Sequence, residues 1–233
     1  MINVKLYHFP GSRSTRVLWL MYELRGRIVA EISRIDLYGG DQYRSEYLAR
    51  FPLHAVPAVE ISTPEGSPIL MTESGAIITF LADAIPSAAL APKLQGFSVE
   101  RADYLNMIHM CGASLDMMLW QIRIHTHVLG PEQRDEQTAK RYRDKICREV
   151  EPLLFARLAR SRYICGDDFT AADCMMAHAI IWARTYGLLA GEPVSSYIAR
   201  VGARPAFQKA YAEARNFDPV VPTESPARAM FTG

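Results

Sequence analysis

A proline stands inside a run otherwise suited to a β-strand, His54-Ala-Val-Pro-Ala-Val-Glu-Ile61, and it constrains the fold more than any other feature of the chain. Proline has no N–H for a ladder, so it belongs at a strand start or on an edge, and it is the residue type that takes a cis bond. The N–H and C=O of Val56 are thereby left available to an extended peptide. Downstream, Glu73-Ser74-Gly75 heads an apolar helical run, where free amides and the helix dipole suit a carboxylate. Together the two segments describe a cradle for a short anionic peptide.

The surrounding pattern is α/β, then all-α. Val4 to Phe9 alternates and is rich in strand formers, Pro10-Gly11-Ser12 marks a turn, and Ser14 to Leu24 has helical spacing with Val17, Leu18, Leu20, Met21 and Leu24 inward. A second strand is predicted over 28–35 and a short polar helix or irregular connection over 41–50. Two strands at 58–61 and 69–71 follow around a Pro-Glu-Gly turn, then a helix from Ser74 to about Ala84 with Ala76, Ile77, Phe80 and Leu81 inward, ended by Pro86. Because parallel strands need crossovers and hairpins do not, this βαβαββα order implies a mixed sheet. Residues 85–97 are predicted to link it to a helical domain over 98–233, with helices near 98–128, 131–160, 170–187 and 194–214 and a tail after Asn216 running over the surface. The first domain is taken as 1–84.

Composition narrows the partners. With 26 basic and 25 acidic residues the net charge is +1, too small a field to argue for nucleic acid or a membrane surface. No apolar run reaches the roughly 20 residues that span a bilayer, and the first residues lack a signal-peptide pattern, so a cytoplasmic protein is expected. Cys111, Cys147, Cys165 and Cys174 form no CxxC pair and no ligand spacing with histidine, which predicts buried free thiols and no metal site. His125 and His127 have no third ligand pattern beside them.

With the segment Leu6-Tyr-His-Phe-Pro-Gly-Ser-Arg-Ser-Thr-Arg-Val17 ahead of Val56-Pro57 and Glu73-Ser74, and Phe169-Thr-Ala-Ala-Asp173 behind, the chain resembles the cytosolic glutathione transferases over nearly its whole length. The resemblance implies a thioredoxin-like domain that binds glutathione as co-substrate, and an all-α domain that receives an apolar electrophile. A glutathione thiol has an ordinary pKa of about 8.5, so the protein must stabilise the thiolate, and a hydroxyl at a helix start can do so. Ser12 is the favoured hydroxyl and Ser14 the alternative; either one can instead simply cap the helix. Tyr7 points to the opposite sheet face by alternation, and its neighbour His8 stands where some relatives carry tyrosine.

The resemblance further implies that Val56 meets the tripeptide through its backbone, that Pro57 is cis, and that Ser74 with Glu73 holds the γ-glutamyl end. Arg13 either stands beside the sulfur or is a solvated first-turn side chain, whereas Arg16 is read as structural. Gln42 reaches the glycyl carboxylate or is solvated. His54, where relatives often have a lysine-bearing Asn-Pro-x-Gly-Lys stretch, reaches the same end or is an exposed loop residue. Thr170-Ala-Ala-Asp173 is a structural capping box.

For the electrophile, the first long helix of the second domain concentrates Met107, His109, Met110, Ser114 and Met117, an adaptable apolar stripe that equally suits core packing or a subunit interface. Homodimerisation through the sheet domain and this helix is implied by the resemblance. Conjugation of apolar electrophiles, as in detoxification, is the leading expectation. A non-catalytic ligand carrier, or glutathione-dependent peroxidase, reductase or dehalogenase chemistry, are the alternatives.

Overall fold

The computed structural model describes residues 1–64, 66–94 and 96–228. The chain forms two compact units: Met1–Ile78 with the segment from Pro205 onward, and Thr79–Arg204.

In the first unit, β1 (Ile2–His8), β2 (Ile28–Arg34), β3 (Ala58–Ile61) and β4 (Ile69–Thr72) form one sheet in the order β2-β1-β3-β4. β1 pairs parallel with β2 and antiparallel with β3, and β3 pairs antiparallel with β4. This is the mixed sheet that the βαβαββα order implies, in the thioredoxin-like form that the family resemblance implies. The parallel pair requires a crossover, which α1 (Ser14–Glu23) supplies. Val4, Leu6 and His8 point to one face of β1, while Tyr7 packs on the other against Ile35, Tyr47, Phe51 and Ala58.

Every residue of α1 from Ser14 to Met21 is buried, because the helix is covered by β1 on one side and by α10 (Pro205–Tyr211) on the other. Trp19 has no exposed surface and meets Phe207 edge-on, with ring centroids 4.9 Å apart, and Phe207 stacks on Tyr211 at 4.1 Å. The helix expected over 194–214 is therefore two, α9 (Val194–Gly202) and α10, broken where Pro205 cannot continue the i to i−4 ladder. α10 and the tail cluster with the sheet, although sequence periodicity groups them with the helical domain.

The connection over 41–50 consists of a 3-10 turn at Asp41–Tyr43 and a short α2 (Ser45–Leu48). The helix before Pro86 is α3 (Ser74–Ala84). Its buried face is Ser74, Ile77, Ile78, Leu81 and Ala82; Ala76 is exposed and Phe80 is 38% exposed, so the inward stripe lies one residue away from the expected one.

The second unit is helical. A continuous helical stretch holds α4 (Val99–His109), a π turn at Met110–Leu115, α5 (Asp116–Arg123) and a further π turn at Ile124–Val128. α6 (Glu136–Lys145) and α7 (Glu151–Leu158) are joined by a π turn. α8 (Ala171–Arg184) is central, buried at every position from Ala171 to Ile180. Its start is tied down by a capping box. Asp173 Oδ2 accepts from the N–H of Thr170, and Oδ1 accepts from the N–H of Ile164 and the hydroxyl of Tyr197, both at 2.9 Å. The segment leading into α4 is held against it, since Ala171 N–H donates to the Leu90 carbonyl at 2.7 Å.

Cys111 and Cys174 are buried as expected, whereas Cys147 is exposed and Cys165 intermediate, because the first pair faces the helical core and Cys147 lies on an outer turn. Among the described residues no helix is long and apolar enough to cross a membrane, and no cluster of side chains suits a metal ion.

Candidate functional site

Strand register gathers the sequence motifs at one end of the sheet. Tyr7 is opposite Ala58, and Ala58 is opposite Thr72. One residue beyond that row, β1 runs out into the Phe9–Arg13 turn, β3 is entered from Val56-Pro57, and β4 leaves into Glu73-Ser74. Turn, proline segment and α3 start therefore share an edge, although they lie far apart in sequence.

At the turn the two serines have different surroundings. Ser14 has no exposed surface; its Oγ lies 2.7 Å from His8 Nδ1 and accepts from the Phe9 N–H at 3.1 Å. Ser12 is half-buried, with Oγ 2.8 Å from Ser14 Oγ and 2.8 Å from the Phe9 carbonyl that it can donate to, and it accepts the Ser14 N–H at 3.2 Å. Of the pair, only Ser12 keeps exposed surface. Burial, with the Arg34 guanidinium second, pushes His8 down to about 4, so its ring is neutral at pH 7. Tyr7 is on the other face, where Arg50 donates to its hydroxyl at 2.9 Å, and burial raises its pKa, so it takes no part at this edge.

The Val56-Pro57 peptide is cis, Pro57 is buried, and the Val56 N–H and C=O make no hydrogen bond to another described residue. They stand as an open donor and acceptor for an extended strand. Glu73 adopts φ 66°, left-handed for a non-glycine residue, and is exposed, while Ser74 is buried at the head of α3. Backbone strain of this kind costs about 1 kcal/mol or more and concentrates at ligand sites. Arg16, fully buried on α1, donates from Nη1 to Ser74 Oγ at 3.3 Å. The helix spacing of Arg16 suggests a structural side chain; its position beside Ser74 adds a cation to the proposed carboxylate end.

Arg13 is half-buried at the N-cap of α1. His54 is exposed on its loop at φ 42°, its ring 5.2 Å from that of Tyr43. Gln42 is not the solvated side chain that the sequence allows. It is buried, and its Nε2 donates to the Leu37 carbonyl at 3.0 Å, because the 3-10 turn folds it under the β2 to α2 connection.

Sequence periodicity gave no sign that the tail would reach this edge. Phe217 packs edge-on to Phe9, with centroids 6.2 Å apart, and lies directly over Gly11. Tyr38 donates to the Asp218 carbonyl at 2.6 Å, and Ser225 donates to the Tyr38 carbonyl at 2.8 Å. Val221 and Ser225 are buried. The tail is thus anchored on the sheet unit, and the roughly two hundred residues between partners leave no local signal of it.

In the helical unit, Asn106, Met107, His109, Met110, Ala113 and Ser114 line a shallow depression. His109 and Ser114 are exposed and Met117 is 41% exposed, but Met107 is buried among the core side chains of α4. The stripe is therefore divided: Met107 packs inward, and the other four residues present an outer face.

Comparison with known proteins identifies the family of the chain. The N-terminal domain model of glutathione S-transferase matches residues 2–83 and the C-terminal domain model matches residues 153–212, together more than half of the chain. Glutathione S-transferase 3 of Zea mays is 28% identical over 91% of this chain and 95% of its own. The disulfide-bond oxidoreductase YfcG of Escherichia coli is 26% identical over 91% of this chain and 96% of its own. Among solved structures, a glutathione transferase family member from Pseudomonas fluorescens with two glutathione bound superposes with a TM-score of 0.78 at 24% identity, covering 89% of this chain and 92% of that one. With both domain models matched in order on a mixed sheet followed by helices, the chain belongs to the glutathione S-transferase family.

Proposed function

We propose that the protein is a glutathione transferase in which Ser12 stabilises the glutathione thiolate for attack on an apolar electrophile. The observation that carries the reading is the half-buried Ser12 hydroxyl on the same sheet edge as the open Val56 main chain and the Arg16–Ser74 pair. Val56 would pair with the cysteinyl backbone, Ser74 and the α3 amides with the γ-glutamyl carboxylate, and Glu73 with the ammonium group. Arg13 and His54 border the site and are assigned no direct contact. The thiol proton leaves to water, the Ser12 O–H donates to the sulfur, and the thiolate forms a C–S bond as the electrophile loses its leaving group. His109, Met110, Ser114 and Met117 are the side chains assigned to the apolar substrate. A cytoplasmic setting and a homodimer belong to the same proposal, and sedimentation at micromolar concentration tests the latter, a monomeric mass refuting it.

A second reading uses the same thiolate to attack a disulfide sulfur, forming a mixed disulfide and releasing a thiolate. The relative named as a disulfide-bond oxidoreductase favours it, because it aligns over nearly the whole of both chains. Purified protein assayed with glutathione and either an aryl halide or a small disulfide separates the two. Turnover of the aryl halide that falls in Ser12→Ala supports conjugation. Turnover of the disulfide alone supports the second reading, and absence of glutathione binding at millimolar concentration removes both.

A further inference from the structure

The geometry points to His8 as a positioning residue that aims the Ser12 hydroxyl outward, acting through Ser14 in a one-directional hydrogen-bond chain. The inference rests on Ser12 being the hydroxyl that meets the sulfur.

The argument is a count of protons and lone pairs. Ser14 Oγ has one hydrogen and two acceptor positions. The Phe9 N–H, 3.1 Å away, can only donate, so it fills one position. His8 Nδ1, 2.7 Å away, belongs to a neutral ring and either accepts or donates. If Nδ1 were bare, the Ser14 hydrogen would be drawn toward it, and the Ser12 hydroxyl would turn inward to fill the remaining position at 2.8 Å. A proton on Nδ1 reverses the chain. Both acceptor positions of Ser14 are then filled, and its hydrogen must leave, toward Ser12 Oγ at 2.8 Å rather than the Phe9 carbonyl at 3.1 Å.

Ser12 Oγ in turn receives the Ser14 hydroxyl and the Ser14 N–H, at 2.8 and 3.2 Å, which fills its own two positions. Its hydrogen is then directed away from Ser14. The Phe9 carbonyl at 2.8 Å holds it until a stronger, anionic acceptor is present. Successive hydroxyls polarised in one direction strengthen the terminal donor. Three short contacts, His8–Ser14, Ser14–Ser12 and Ser12–Phe9 carbonyl, need three protons, and the two hydroxyls supply two, so only the Nδ1–H tautomer of His8 puts a proton in each.

His8 does not store the thiol proton. Burial disfavours its cation, and Arg34, opposite it across the β1–β2 ladder and ion-paired with Glu213, adds positive charge nearby. The imidazole acts as a fixed donor, and the thiol proton goes to water. A purely structural His8–Ser14 pair would hold the turn equally well without any effect on the sulfur.

The test is the ultraviolet thiolate titration of glutathione bound to wild type, Ser12→Ala, His8→Leu, His8→Asn and the double variant His8→Leu/Ser12→Ala, with dissociation constants measured alongside. Ser12→Ala is expected to raise the bound thiol's pKa by about one unit, the scale of one hydrogen bond to a charged group. His8→Leu is expected to raise it in the same direction with glutathione affinity within about twofold of wild type. His8→Asn, which keeps a side-chain N–H donor close to the Nδ1 position, should restore most of the wild-type value, and His8→Leu should add nothing in the Ser12→Ala background. If His8→Leu does not fold, Ser14→Ala takes its place with the same expected shift. A wild-type pKa in His8→Leu while Ser12→Ala is raised overturns the role of His8 and leaves that of Ser12 standing. An equal His8 effect with and without the Ser12 hydroxyl also overturns the chain. No shift in Ser12→Ala removes the underlying reading itself.

Discussion

Arg16, wholly buried on α1, donates from Nη1 to the hydroxyl of Ser74 at the head of α3, 3.3 Å away. The contact joins the two helices at the sheet edge and sets a guanidinium beside the residue proposed to hold the γ-glutamyl carboxylate. Ser74→Ala removes a hydroxyl donor to a carboxylate, a contribution of about 1.5–3 kcal/mol, so glutathione should bind roughly tenfold or more weakly, with kcat at saturating glutathione close to wild type. Calorimetry checks it, and an unchanged dissociation constant contradicts the assignment. Arg16→Ala should cost about 3 kcal/mol of stability through lost packing and lost hydrogen bonds, and Arg16→Lys less, as read from urea midpoints.

His8 makes stability pH-dependent with a definite sign. Its folded pKa of about 4 lies below the ordinary 6.5, so the folded state binds fewer protons; the stability it contributes is present above pH 6.5 and is lost as pH falls through 4. At 1.36 kcal/mol per unit the full effect is about 3 kcal/mol. Asp173, pushed up to about 6 by burial, acts in the opposite sense in the helical unit, so the comparison must be between wild type and His8→Asn, where Asp173 cancels. Urea unfolding should show the wild-type advantage shrinking between pH 7 and pH 4. A constant difference would mean that His8 does not titrate as buried.

Gly11 combines φ +77° with a neighbour that leaves no room: a Cβ there would come within 2.5 Å of the Phe217 side chain. Gly11→Ala should destabilise the sheet unit by about 1–2 kcal/mol and lift the tail, seen as faster proteolysis between Phe217 and Arg228. Adding Phe217→Ala relieves the clash but not the backbone cost, so the double variant should recover only part of the loss.

In the helical unit, Asp173 Oδ1 and Oδ2 accept from two main-chain N–H groups and from the Tyr197 hydroxyl. Asn offers a single acceptor oxygen and sets an NH2 against one of those donors. Asp173→Asn at pH 7.5 should cost about 3 kcal/mol, with the loss appearing first in hydrogen exchange of α8 amides. Glutathione affinity should be unaffected.

Much of this molecule was legible from residue order. Alternation, turn residues and Pro86 located the sheet strands and α3 to within a residue or two, and the capping box marked the start of α8. Alternation also separated Tyr7 from His8, yet the burial of His8 under α1 depends on which face the crossover covers, a tertiary choice. The inward face of α3 shifted because Ser74 itself points inward, toward Arg16, which a hydrophobic pattern does not register. The burial of Gln42 is not legible in the sequence because a 3-10 turn has too few residues to show a period. The seat of Phe217 on Gly11 joins residues about two hundred positions apart, and no local rule reports such a contact.

The central claim is that Ser12 keeps the sulfur of bound glutathione ionised. The most direct measurement is the thiol pKa of glutathione bound to wild type and to Ser12→Ala. The account predicts a wild-type value well below the free thiol's, about 8.5, and a rise of about one unit in the variant with little loss of affinity. Identical titration curves for the two proteins would contradict it.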